Sequence, residues 1–112
     1  MNLDIQALWS PDLGPPSVGL PTNPEDFELL FQVAVEESGR HGREVFGLTA
    51  CSPSALSRVP SGKFVRATLV LAEFSWDAVR TGIEKTLLQC RSCSTWQEAI
   101  DTLRGCLDHA DS

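Results

Sequence analysis

An α+β fold, with a single antiparallel sheet of about four strands and two C-terminal helices packed on one face, is what the hydrophobic pattern of this chain predicts. Three observations carry it. The N-terminal half alternates apolar and polar residues with period two, most clearly from Phe27 to Val35. Between Lys63 and Cys90, in KFVRATLVLAEFSWDAVRTGIEKTLLQC, the period passes from two toward 3.6, as where a strand runs into an amphipathic helix. The 112 residues have room for one hydrophobic core and not for two, so residues 1–112 are read as one domain.

Leu3, Ile5, Ala7 and Trp9 alternate with Asp4, Gln6 and Leu8, a half-buried first strand that Ser10-Pro11-Asp12 ends. From Gly14 to Pro24 the prolines fix φ and remove backbone donors, which predicts a surface loop. Phe27, Leu29, Phe31, Val33 and Val35 then face the core from a second strand, leaving Glu28, Gln32 and Glu36 on its other side as a candidate docking face. A turn through Gly39 and Gly42, with His41 at its tip, leads into a third strand from Arg43 to Cys51.

Pro53 suits the first position of a short helical turn, with Leu56 as its buried anchor. Phe64 to Phe74 forms a fourth strand whose Leu69 to Ala72 portion is apolar on both faces, which suits an interior position. Ser75 caps the first long helix, Asp77 complements the dipole in its first turn, and Val79, Ile83 and Leu87 form the buried stripe. Gly82 weakens this helix by about 1 kcal/mol relative to alanine, and its missing side chain allows a close approach to the sheet. A second helix opens at Ser94 or Thr95, which precede Gln97 and Glu98 at capping-box spacing, and buries Trp96, Ile100, Leu103 and Leu107. The polar tail from Asp108 to Ser112 is expected to fray.

An apolar content of 42% with 21% charged residues excludes a disordered chain, and no apolar run is long enough to span a bilayer. The N-terminal residues MNLDIQALW do not resemble a secretory signal, so a cytoplasmic location with free thiols is expected. Charge is unevenly spread. Residues 1–39 carry Asp4, Asp12, Glu25, Asp26, Glu28, Glu36 and Glu37 and no Lys or Arg, a field that repels nucleic acid and anionic membrane and speeds encounter with a basic partner.

Cys90, Cys93, Cys106 and His109 form C-x2-C-x12-C-x2-H, a spacing near that of structural zinc sites, and they define the alternative reading of a small metal-binding or redox adaptor. Against zinc, Cys106 falls near the apolar stripe of the second helix, where a thiol acts as a small hydrophobe, and a core with this many aromatic residues needs no metal staple. Against redox chemistry, Cys90 follows a helix C-terminus, whose partial negative charge opposes a thiolate. Sequence motifs for nucleophilic, zinc-protease or phosphate-binding chemistry are absent, so neither catalysis nor a cofactor is expected.

Several short motifs, taken in order, resemble those of the immunity protein 8 family of bacterial polymorphic toxin systems. They are Ser10-Pro11-Asp12 after the first strand, Pro24-Glu25-Asp26-Phe27 opening the second, and Phe46 before Cys51-Ser52-Pro53 and Leu56. The passage through Phe74 and Thr95-Trp96 opening the last helix, with Leu103 inside it, complete the set. The chain departs from the family pattern at Ala55, where relatives often carry tryptophan, and at Cys106-Leu107-Asp108, where they often end in an aromatic and acidic tail. The resemblance implies a non-enzymatic protein that binds and blocks a cognate protein toxin. Combined with the charge distribution, it points to a basic toxin and to an acidic surface of Glu25, Asp26, Glu28, Glu36 and Glu37, with Trp9 or Trp76 as aromatic anchor.

Overall fold

The clearest alternating run in the sequence becomes the strand on which both hairpin neighbours pair. In the computed structural model, which describes residues 1–14, 19–39 and 43–109, the order is β1 (Leu3–Trp9), β2 (Glu28–Glu37), β3 (Glu44–Cys51), α1 (Pro53–Ser57), β4 (Thr68–Val70), α2 (Trp76–Leu87), α3 (Trp96–Leu103) and β5 (Asp108–His109). The sheet runs β1-β2-β3-β4, with β2 antiparallel to both β1 and β3. The far edge of β3 is shared: β4 runs parallel beside Thr49–Cys51, and β5 runs antiparallel beside Phe46 and Gly47. The architecture is therefore α+β with a mostly antiparallel sheet, and α2 and α3 lie together on one face.

Phe27, Leu29, Phe31, Val33 and Val35 are all buried, and they meet Val79, Ile83 and Leu87 of α2 and Ile100 and Leu103 of α3 in one core. Both helices start where the sequence places their caps. Ser75 Oγ accepts from Ala78 N and Thr95 Oγ1 accepts from Glu98 N. Glu98 returns the favour at the preceding residue, its carboxylate accepting from Ser94 N at 2.8 Å. Gly82 faces β4, where a Cβ would lie 3.0 Å from Leu69 Cδ2, so its absence is what lets α2 settle on the sheet.

Several expectations are corrected. The fourth strand is three residues long, parallel and at an edge rather than interior, and Val70 is 44% exposed. The reason is topological: β3 can gain a parallel neighbour only through a long crossover, which residues 52–67 supply, and little of the run is left to pair. Ala55, not Leu56, is the buried anchor of α1. The last helix stops at Leu103, so Cys106 is exposed in the turn that follows it, while Leu107 still returns to the core. Asp108 and His109 do not fray but pair with β3, where the His109 ring lies 5.1 Å from that of Phe46. The turn holding His41 lies outside the described residues.

Two serine-proline motifs finish the backbone pairing of β2. Where β1 ends, Ser10 Oγ donates to Leu30 O at 2.6 Å and Asp12 Oδ2 accepts from Leu30 N at 2.8 Å, so two side chains stand in for the next backbone partner. At the other side, fully buried Ser52 accepts from Phe27 N through Oγ at 3.1 Å, and its own N–H donates to Phe27 O at 2.9 Å. The same Oγ caps α1 by accepting from Ala55 N at 3.2 Å. Ser52→Ala leaves two buried N–H groups unpaired and is expected to cost about 2 kcal/mol. Urea unfolding followed by tryptophan fluorescence checks this, and an unchanged midpoint would contradict it.

Candidate functional site

Residues paired directly across a sheet share a face, and the register therefore lists what the outer face, turned away from α2 and α3, presents. Along β2 it carries Glu28, Leu30, Gln32, Ala34 and Glu36. Across the strands, Asp4 lies beside Glu36, Ala7 beside Ala34 and Trp9 beside Gln32, and on the far side of β2 Ala34 lies beside Val45 and Gln32 beside Gly47. Leu30 is followed by Thr49 and Thr68, and Glu28 by Cys51 and Val70. Eight residues of strand separate Glu28 from Glu36, about 26 Å at the usual rise. Small, apolar and neutral side chains occupy the middle, and carboxylates stand at both ends.

Trp9 reaches this face because of a bulge. Strict alternation puts Trp9 with Leu3 and Ile5, but the β1–β2 register shifts between Ile5 and Ala7. Beyond the shift Leu8 pairs with Val33 and is buried in the core, while Ala7 and Trp9 turn outward. The expectation that Trp9 shares a side with Leu3 and Ile5 is corrected on this point.

The other predicted residues are dispersed. Glu36 lies opposite Asp4, whose carboxylate accepts from Ser38 Oγ at 2.6 Å. Glu37 lies opposite Leu3, on the helix side of the sheet. Glu25 is exposed in the turn before β2, its backbone N–H bonded to Asn23 Oδ1 at 2.9 Å. Asp26 ties that turn to α1, accepting from Arg58 Nη2 and Ser54 Oγ, both at 2.8 Å. Trp76 is on the helix side, edge-on to Phe31 with centroids 5.3 Å apart, and its indole N–H donates to Gly19 O at 2.7 Å. It anchors the proline loop to the core.

Leu30 and Val45 on the outer face, and Phe64 beside it, were not singled out in the sequence. The available signal was Leu30 itself, an apolar residue in phase with Glu28 and Gln32.

The cysteine-histidine motif does not assemble, since among the described residues no group of three or more His, Cys, Asp and Glu side chains is placed to hold a metal ion. Cys90 is buried with its thiol toward Ala99 O at 3.8 Å, Cys93 faces Thr102 Oγ1 at 3.6 Å, and Cys106 is exposed. His109 Nε2 is 2.8 Å from Glu44 Oε2. Burial, and then the neighbouring Cys93, push the Cys90 thiol up to about 11, the opposite of what redox chemistry requires. Burial and the Glu28 carboxylate likewise raise Cys51.

Two predictions follow from these environments. In native protein at neutral pH, iodoacetamide should modify Cys106 first and leave Cys90 and Cys51 intact until denaturant is added. Peptide mass spectrometry reads the order, and fast native labelling of Cys90 would contradict it. The Arg58 guanidinium and the Ser54 hydroxyl hold the Asp26 carboxyl below its ordinary value. Its contribution to stability is therefore present above the unfolded carboxyl value and lost as pH falls through the lowered folded one. Carboxyl NMR titration should show Asp26 returning toward the ordinary range in Arg58→Ala.

Among the described residues no helix is long and apolar enough to cross a membrane. No curated protein and no solved structure is significantly similar to the chain. The model of the family described as Immunity protein 8 matches residues 3–108, from the first residue of β1 to the first of β5. The matched region spans β1 to β4 and all three helices, with the serine-proline joints of β2 inside it, and the chain belongs to the immunity protein 8 family, typically non-enzymatic proteins that each neutralise a cognate toxin.

Proposed function

We propose that this chain blocks a basic protein toxin in the cytoplasm by docking it on the outer face of the sheet. The observation that carries the reading is the bulge in β1, which turns Trp9 of this edge strand onto the outer face beside Gln32, midway between Glu28 and Glu36 of β2. An aromatic side chain surrounded by Ala7, Leu30 and Gln32, and rimmed by carboxylates, has the organisation of an interface with a buried anchor and a charged border. The anchor slows dissociation, and the carboxylates of residues 1–39 raise the rate of encounter with a cationic surface.

Of the acidic residues expected to bind, Glu28 and Glu36 occupy this face. Glu25 and Asp26 border it at the start of β2 and contribute to the long-range field. Glu37 and Trp76 lie on the helix side and enter the reading only through that field and through the core, respectively.

Co-expression with the cognate toxin domain tests the function: cells producing both should survive where cells producing the toxin alone do not. Equal survival with and without the chain would refute it. For the face, Glu28→Lys combined with Glu36→Lys should weaken toxin binding about 100-fold, mainly by slowing association and most strongly at low salt. Trp9→Ala should weaken it about 30-fold through faster dissociation. Surface plasmon resonance separates the two rates, and wild-type values in both variants would rule out this face.

A further inference from the structure

Beside the outer face, the crossover from α1 to β4 displays Lys63-Phe64-Val65-Arg66. Phe64 is 94% exposed, the largest fraction among the exposed large hydrophobic residues that the structure describes, and Val65 beside it is 46% exposed. Two adjacent apolar residues held in water are costly in a chain that otherwise buries its phenylalanines, and such a run is characteristic of contact surfaces.

The segment is also fixed in shape. At its start Gly62 takes φ +85° and Lys63 N donates to Pro60 O at 3.3 Å. At its end Ala67 takes φ +48°, a left-handed conformation disfavoured for a residue with a Cβ, and its carbonyl accepts from Thr49 N at 2.8 Å. Between them, Arg66 Nη2 donates to Arg104 O at 3.3 Å and Arg66 O accepts from Thr68 Oγ1 at 2.9 Å. The strain at Ala67 is held by the β3 pairing, and Phe64 is presented on a segment tied at both ends.

Behind Phe64 lies a hollow of about 220 Å³ whose lining includes Leu56, Val59, Thr49, Cys51 and Glu28. Thr49, Cys51 and Glu28 are outer-face residues, so the hollow continues that face toward β4. Charge is mixed at this end: Glu28 lines the hollow together with Lys63 and Arg66, and Arg66, its side chain 70% exposed, lies 3.9 Å from Asp108.

We infer that Phe64 is a second anchor for the cognate toxin, inserted into an apolar recess of the toxin whose carboxylates meet Lys63 and Arg66. This rests on the reading that the chain docks a toxin on its outer face, and adds a contact at its β4 end. Two separated anchors, Trp9 and Phe64, fix the partner's orientation on the face where one would leave it free to turn. The pre-set segment lowers the ordering cost of binding.

The test uses the full chain, its Phe64→Ala and Lys63→Glu variants, and the cognate toxin domain. Calorimetry measures toxin affinity, chemical unfolding measures stability, and sedimentation velocity measures the chain alone. Phe64→Ala should leave stability unchanged and weaken toxin binding about 30-fold, and Lys63→Glu should weaken it about tenfold. A loss of less than tenfold in Phe64→Ala, with wild-type chain still binding tightly, would overturn the second anchor and leave the docking reading intact. Wild-type chain that does not bind the toxin would overturn both. A wild-type dimer that Phe64→Ala converts to monomer, with toxin affinity unchanged, would overturn the inference by making a second copy the occupant.

Discussion

Everything in this fold depends on keeping the backbone of β2 fully paired. The strand lies between β1 and β3 and supplies the largest set of core side chains, and at its approach the Phe27 N–H is buried where water cannot satisfy it. Its partners are shorter than the strand with its approach, so two side-chain devices complete the ladder: Ser10 with Asp12 at Leu30, and Ser52 at Phe27. The second device also fixes where α1 begins, and so the crossover that places β4. Phe74 N, bonded to Pro24 O at 2.7 Å, ties the entry of α2 to the entry of β2 in the same way.

The short motifs by which the chain resembles its family serve as joints of its own backbone. Ser10-Pro11-Asp12, Asp26 and Ser52-Pro53 direct their polar atoms to the chain itself. In the proposed reading, recognition falls to residues held by those joints without taking part in them, such as Trp9, Leu30, Glu28 and Phe64. A scaffold of this kind lets the contact residues vary while the backbone pairing is preserved.

The two aromatic side chains proposed as anchors illustrate two ways of presenting a ring at the outer face. Trp9 is turned outward by one extra residue in β1, a change of strand parity. Phe64 is displayed by a segment whose ends are bonded and whose last turn keeps a non-glycine residue at positive φ. Both are preorganised, which favours tight binding because little conformational freedom remains to be lost. Trp76 shows the contrast: with its N–H satisfied by Gly19 and its ring against Phe31, it belongs to folding.

Local pattern by itself determined the elements whose signal is repeated along the chain. The alternation of β2 and β3, the stripes of α2 and α3, their Ser75 and Thr95 caps and the role of Gly82 are all readable in sequence order, because each depends on neighbours within a few residues. Family membership was likewise legible in the order of short motifs. Tertiary structure alone decided the rest. The parallel edge position of β4, the return of Asp108 and His109 to β3 and the failure of Cys90, Cys93, Cys106 and His109 to converge on one site all depend on where distant segments meet. The bulge in β1 is the sharpest case, since a one-residue shift against β2 moved Leu8 into the core and Trp9 onto the open face, and no period within β1 alone encodes it.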